Sequence, residues 1–275
     1  MLRGPRREAN PSLRSILQVV LSEAKILHLV AALPPCVTNL MSVVAIIPAA
    51  GWGVRMASPI PKQFLSLEGV PIFVHTLRKF VACEAVNEIY LGLRAEDTER
   101  AQKEIDRECL ARPVRLVEGG PSRQETVARC LDEVPADTEV VLVHDAVRPF
   151  LDLEMIPRVI DAALEEGAAI LGIPSVDTVK KVRRNKILGS IPREGIVLAQ
   201  TPQAFRYQII REAYSRAAED GFHGTDDSSL AERLGYNVTV IMGSDRNIKI
   251  TKPSDLPLAR LYLAQERDRQ EAAAG

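Results

Sequence analysis

Aromatic side chains are scarce in this chain, at 4% of its 275 residues, which argues against a platform for stacking the bases of single-stranded nucleic acid. Excess charge is missing too. A formal net charge of -1 gives no global attraction to nucleic acid or an anionic membrane, so any bound anion must be held by local geometry. Cysteines are few and scattered: Cys36, Cys83, Cys109 and Cys130 form no C-x-x-C. That usage fits a reducing, cytoplasmic compartment better than a disulfide framework or a zinc site. His28, His75, His144 and His223 are equally dispersed, which argues against a His/Cys metal cluster. A long uninterrupted apolar run is lacking as well. The nearest approach, residues 16–33, is broken by Ser22, Glu23, Lys25 and His28, too often for a membrane span or a clean signal peptide.

What remains is ordinary globular material. Apolar residues make up 46% and charged residues 26%, and the length suffices for one large α/β domain or two small ones. Residues 1–40 stand apart as a poorly defined extension, with Arg3, Arg6, Arg7 and Arg14 ahead of the broken apolar stretch. They read as an Arg-rich amphipathic targeting peptide or, the reading favoured here, as an appended start, because Met41 falls just before the first strong strand. The fold is expected in residues 41–275.

From Met41 onward short apolar runs alternate with helical patterns. Ser42–Pro48 is rich in β-branched residues and reads as a buried strand. Glu88–Leu93, Val114–Val117, Val140–Val143 and Ala168–Ile173 repeat the theme. Helical patterns lie at Ile72–Val81, Asp97–Leu110, Arg123–Leu131 and Leu153–Glu165, and a last helix at Ser254 to about Arg267, with a frayed tail from Glu271. Such alternation predicts right-handed βαβ units and a mostly parallel sheet covered on both faces. The pattern breaks at Pro174–Pro192, where Val176, Thr178, Val179 and Val182 alternate with a basic run and the chain returns through Ile187 and Leu188. This predicts a projecting two-stranded hairpin that needs a packing partner, plausibly a second subunit; the bland alternative is a solvated loop. Its Lys180, Lys181, Arg183 and Arg184 suit a solvated basic edge better than catalysis.

The chemistry concentrates at the ends of the strands. The first strand runs into Pro48-Ala49-Ala50-Gly51-Trp52-Gly53-Val54-Arg55-Met56, then Pro61-Lys62-Gln63. Small residues at the carboxyl end of a parallel strand let backbone N–H groups approach a phosphate. The third glycine of G-x-G-x-x-G and the G-K-[ST] ending of a P-loop are both absent; instead Arg55 and Lys62 supply two cations within reach of a triphosphate. Asp145 follows the strand ending at Val143, where open α/β sheets bind ligands. A carboxylate there would repel phosphates unless a cation intervened, which points to Mg2+. The alternative for Asp145 is a helix N-cap or an ion pair with Arg148.

Seven blocks carry a recognisable resemblance: AAGxGxRM with PKQ, Glu118 to Thr126, Val143 to Pro149, Val176-Asp177-Thr178, Thr201-Pro202-Gln203, Thr225-Asp226-Asp227, and Asn247 to Thr251. In this order, over Ser42 to about Gln265, they resemble the sugar-nucleotidyltransferase superfamily and, more narrowly, the 2-C-methyl-D-erythritol 4-phosphate cytidylyltransferases of the non-mevalonate isoprenoid pathway. The resemblance implies a single Rossmann-like, mostly parallel-sheet nucleotidyltransferase domain with a hairpin arm. It implies transfer of CMP from CTP to a polyol phosphate with release of pyrophosphate. Catalytic roles would fall to Arg55, Lys62, Arg193 and Lys249, with Asp145 near the ribose and holding the metal. Substrate would be bound by Pro48, Ala49, Ala50, Gly51 and Gly53, and by Gly119, Gly120 and Thr126 around the base. Arg148, Thr178 and Thr201 complete the expected set. Arg123 would either close the base pocket or bridge toward Asp145. An arm of this kind interlocks with its partner, which implies a homodimer.

Departures are modest: threonine at 126 where serine is common, Val54 at an often polar place, and Val147 beside Asp145. Asp226 keeps its motif but also suits an N-cap with a capping box to Glu232. Three rivals were weighed. A ribitol 5-phosphate cytidylyltransferase shares donor and mechanism, and its acceptor differs by a methyl branch and chain length, worth only ~1–3 kcal/mol. A dinucleotide oxidoreductase lacks its glycine fingerprint. A non-catalytic nucleotide sensor would be expected to have lost Lys62 or Lys249.

Overall fold

The computed structural model describes residues 41–52, Met56 and 60–274. The predicted extension at 1–40 therefore lies outside the described residues, as do Gly53, Val54 and Arg55. The first strand, β1 (Val43–Pro48), is buried along nearly its whole length, as expected of a β-branched run enclosed between two helical layers. A tight two-strand ribbon follows, β2 (Ser66–Leu67) and β3 (Val70–Pro71), and then α1 (Ile72–Val81). The next elements are β4 (Glu88–Leu93), α2 (Thr98–Glu108), β5 (Val114–Glu118), α3 (Arg123–Glu133) and β6 (Val140–Val143). Then come α4 (Met155–Glu166), β7 (Ala168–Pro174), β8 (Val179–Arg183), β9 (Lys186–Ile191) and β10 (Val197–Arg206). The chain closes with α5 (Tyr207–Glu219), α6 (Asp227–Arg233), β11 (Thr239–Met242) and α7 (Asp255–Ala274).

Seven strands form one sheet in the order β11-β7-β10-β6-β1-β4-β5. All neighbours are parallel except β10, which runs antiparallel to both β6 and β7. The expected α/β fold with a mostly parallel sheet is therefore present. Because β1 pairs with β4 on one side and β6 on the other, the chain switches direction there, and a crevice opens outside the carboxyl ends of those strands. Side-chain alternation sends Val44 and Ile46 of β1 and Val141 and Val143 of β6 into one cluster with Val127 and Leu131 of α3 and Ile210 and Tyr214 of α5. A second cluster gathers Leu67, Ile72, Val147, Phe150, Ile250 and Ala259, joining α1 and α7 beneath the loop that follows β6.

Local signals end the helices where expected. Ser122 accepts from the Glu125 amide while Glu125 answers the Ser122 amide, a full capping box at the start of α3. Gly167, with φ +95, ends α4 in a conformation that favours glycine. Two expectations need correction. The box at Asp226 closes on Ser229 rather than Glu232; Glu232 instead accepts from the Ser228 hydroxyl at 2.9 Å. The tail beyond Glu271 belongs to α7, which continues to Ala274. Alanine and charged residues there are strong helix formers, and Lys79–Glu266 and Arg267–Glu68 pairs tie the preceding turn to α1 and the β2–β3 ribbon.

The predicted hairpin is present as the ribbon β8–β9. Arg184 and Asn185 both have positive φ, 46 and 61, which is the backbone of a two-residue I′ turn. Val182, Ile187 and Leu188 are more than half exposed on it.

Candidate active site

Three loops meet at the carboxyl edge of the sheet: 49–52 after β1, 119–122 after β5 and 144–148 after β6. The first is fixed by backbone pairing of the Ala49 amide with the Gly92 carbonyl at 2.7 Å. Gln63, almost wholly buried, donates its side-chain amide to the Ala49 carbonyl at 2.6 Å. That bond ties the Pro61-Lys62-Gln63 turn to the loop and brings Lys62 to the cleft wall. A cavity of about 100 Å3 lies here, walled by Pro48, Ala49, Ala50, Gly51, Lys62, Arg123, Thr126, Asp145 and Lys249 among others. It shares Arg123, Asp145 and Lys249 with a second lobe of about 270 Å3. A third, of about 340 Å3, is entered past Arg148, Gln200 and Lys249.

Asp145 is the hub. Its Oδ1 accepts from Arg123 Nε at 3.2 Å, and its Oδ2 pairs with Arg148 Nε at 3.2 Å and Lys249 Nζ at 2.9 Å. Burial alone would raise its pKa, but Arg123, Lys249 and Arg148 outweigh that and hold the carboxyl well below the usual range. Arg123 bridges: its Nη2 reaches Asp227 Oδ2 at 2.7 Å, and the other Asp227 oxygen accepts from the Tyr214 hydroxyl at 2.5 Å. Of the two expectations for Arg123, the bridge toward Asp145 is the one observed. Arg148 is buried and also donates to the Asn247 carbonyl at 2.7 Å.

Behind the hub lies a chain of hydrogen bonds whose direction can be worked out. His144 Nε2 faces the Arg148 carbonyl at 3.1 Å, and a carbonyl can only accept, so that nitrogen carries the proton. Its Nδ1 must then accept from the Thr201 hydroxyl, 3.1 Å away. Thr201 in turn accepts from the Asp145 amide at 3.0 Å. Burial pushes the His144 imidazole down to about 4, so it is neutral near pH 7. The Thr201 proton is thereby directed at His144 Nδ1, inside the frame behind the cleft.

Thr126 lines the same cavity. Its buried hydroxyl donates to the Ser122 carbonyl at 2.8 Å and accepts from the Gly120 amide at 3.1 Å, so it shapes the 119–122 loop. Gly119 is required by contact: a Cβ there would lie 2.7 Å from Ala50 Cβ and 2.9 Å from Thr126 Oγ1. Its amide donates to the Leu93 carbonyl. The two glycine amides are thus engaged, and the Gly119 carbonyl accepts from Arg129 Nη1 at 2.9 Å.

The structure brings together Pro48, Ala49, Ala50, Gly51, Lys62, Arg123, Thr126, Asp145, Arg148, Thr201 and Lys249 around one cleft. Thr178 and Arg193 are exposed near the arm, with Arg193 Nη1 donating to the Val176 carbonyl, and neither lines these lobes of its own chain. Gln63, His144, Asp227, Tyr214 and Asn247 carry the frame yet had no role assigned from the sequence. Most stood inside the quoted motifs, but a motif does not show which atoms meet.

A family model for 2-C-methyl-D-erythritol 4-phosphate cytidylyltransferase (IspD) matches residues 43–265. The chain belongs to the IspD family. A protein of Solibacter usitatus named for that activity is 50% identical over 240 residues, spanning 83% of this chain and 98% of its own. One from Acidobacterium capsulatum is 49% identical over 83% of this chain and 100% of its own. The crystal structure of the Anaerococcus prevotii 4-diphosphocytidyl-2C-methyl-D-erythritol synthase superposes with a TM-score of 0.73 at 30% identity, over 82% of this chain and 97% of that one. The Thermus thermophilus cytidylyltransferase gives 0.65 at 34% identity, over 80% and 98%. As an IspD-family member the chain is a nucleotidyltransferase, and these matches favour the methylerythritol acceptor over ribitol 5-phosphate.

Proposed function

We infer that this chain transfers CMP from CTP to 2-C-methyl-D-erythritol 4-phosphate, releasing pyrophosphate, in isoprenoid precursor synthesis. A phosphate oxygen of the acceptor attacks the α-phosphorus of CTP, and the bond to pyrophosphate breaks as the new one forms. One observation carries this: a buried carboxylate holding three cations, with Lys62 on the facing wall, at the crevice of a nucleotide-binding sheet. Charge accumulates on the phosphate oxygens during transfer, and fixed cations placed beforehand are the main means of stabilising it.

In the resting site Asp145 keeps those cations paired and pointed at the cleft. Lys249 and Arg123 are each about one-third exposed, so both cations present part of their surface to entering phosphates. Arg148, tied to the Asn247 carbonyl, stays with Asp145. Lys62, on the cleft lining, takes the triphosphate, as does Arg55 by its place in the motif. The carbonyls of Gly119 and Gly120 suit the amino group of cytosine, a donor, and oppose the carbonyl that uracil carries there.

Mg2+ fits this donor set in a limited way. Among the described residues no group of three or more His, Cys, Asp or Glu side chains could hold an ion by itself. Magnesium, however, is commonly held by one or two carboxylates plus substrate phosphates. Asp145 would hold it, and when bound it would neutralise charge on the triphosphate. About one of the carboxylate's roughly four lone-pair sites is left by its three cation partners.

Thr178 and Arg193 belong in this scheme to a neighbouring chain's cleft. The exposed apolar residues of the arm, on a ribbon too small to be stable alone, support a homodimer in which each arm reaches across its partner. The free Cys83, Cys109 and Cys130 support a reducing, cytoplasmic setting. Among the described residues no helix is long and apolar enough to cross a membrane.

The test supplies CTP with either polyol phosphate and follows pyrophosphate. Turnover with methylerythritol phosphate should exceed that with ribitol 5-phosphate by at least about tenfold. Equal turnover would remove the acceptor assignment.

A further inference from the structure

Trp52 follows Gly51 in the loop after β1, and its indole is about half exposed, at 49%. The Arg94 guanidinium carbon sits 4.3 Å from its ring centroid. Arg94 directly follows the strand β4 and is held from the other side by carboxylates. Its Nη2 and Nε reach Asp97 Oδ2 at 2.6 and 2.8 Å, and Nη1 reaches Glu96 Oε1 at 2.6 Å. Asp97 is buried, so the fork has a rigid base. With all three of its nitrogens held in plane by carboxylates, the guanidinium turns one flat face to the indole.

We propose that Trp52 and Arg94 form a latch that positions the phosphate-binding loop, so that Trp52 acts as a positioning residue for CTP. This rests on the reading of the cavity lined by Pro48 to Gly51 and Lys62 as the triphosphate site. The placement supports it in three ways. Gly51, next in sequence, lines the nucleotide cavity. The backbone holds this loop at Ala49 through Gly92 of β4, two residues before Arg94. A loop of small residues loses much conformational freedom when it orders around a phosphate, and the latch removes part of that freedom beforehand. Its contribution belongs to binding, so it should move the CTP KM and leave kcat nearly unchanged.

Trp52 is the single tryptophan of the chain, so intrinsic fluorescence reports on this residue alone. The experiment titrates the full chain with CTP, following Trp emission and, separately, binding heat. Emission should change and saturate at the Kd that calorimetry gives. Kinetics on three variants complete the test. W52F keeps a ring for the guanidinium and should hold CTP KM within about twofold of the parent, whereas W52L and R94M should raise it about two- to fivefold at nearly constant kcat. Circular dichroism melts of the surface variants W52F and W52L should match the parent. Calorimetric CTP binding with unchanged Trp emission, or a W52L KM equal to that of W52F, overturns the latch while leaving the CTP site intact. Absence of CTP binding by calorimetry overturns both together.

Discussion

A carboxylate removed from water is normally an electrostatic burden, and Asp145 escapes this by meeting a cation on each oxygen and a third alongside. It thereby sets the positions of Arg123, Arg148 and Lys249 before any substrate arrives. Lys62 stands outside that group, on the facing wall, so its loss should leave the network intact. Lys62→Ala is expected to lower kcat by about 10²–10³-fold with an unchanged melting temperature; a variant with near-parental turnover would remove Lys62 from the mechanism. Thr201 acts at one remove. Thr201→Val leaves the Asp145 amide and His144 Nδ1 without partners and should cost about 1–3 kcal/mol of unfolding free energy, read by urea denaturation. Thr201→Ser should recover most of it, because the hydroxyl and not the methyl group completes the chain of bonds.

Among the elements, the arm is the one whose surface contradicts its surroundings. Val182, Ile187 and Leu188 are exposed on a ribbon of two strands, where an isolated hairpin has little stability of its own. On the proposed dimer, replacing all three by serine should shift the chain from dimer to monomer in sedimentation at micromolar concentration, with loss of most turnover while the domain keeps its melting temperature. A triple variant that stays dimeric would place the interface elsewhere. The hairpin, like β1, β4, β5, β6 and β7, could be read from the sequence because each is a short β-branched or alternating run bounded by turn residues. β10 and β11 could not. Thr201-Pro202-Gln203 interrupts the apolar run of β10 with polar groups that serve the site, and β11 alternates half-buried and exposed residues on an edge. α5 and α6 were missed for a related reason: their buried faces rely on small residues such as Ala213, Ala217 and Ala231, which give a weak apolar rhythm. In the site, the charged residues were legible by motif. What the sequence could not show was where hydroxyl protons go: Thr126 and Thr201 line the cleft as expected, and their hydroxyls are bonded within the frame.

At the level of the whole molecule, acid is a natural stress on this arrangement. The unfolded imidazole of His144 takes up its proton near pH 6.5, while burial pushes the folded group down to about 4. Between those values the unfolded state binds more protons, so stability is lost as pH falls through that window. His75, also lowered chiefly by burial, adds a loss of the same sign. Asp145, held below the usual carboxylate range by its cations despite burial, contributes stability that fades only in stronger acid. Urea denaturation should therefore show about 2 kcal/mol or more lost between pH 7 and pH 5. A flat profile would contradict a neutral, buried His144.

The antiparallel β10 sits between β6 and β7, two strands that precede it along the chain. During synthesis those two therefore wait, each with an open edge, until residues through Arg206 have left the ribosome. Unpaired edges invite adhesion between chains. A nascent polypeptide stalled before Val197 should therefore be a strong client for chaperones; inserting β10 closes the edge of β6 and one edge of β7, and the other edge of β7 waits for β11.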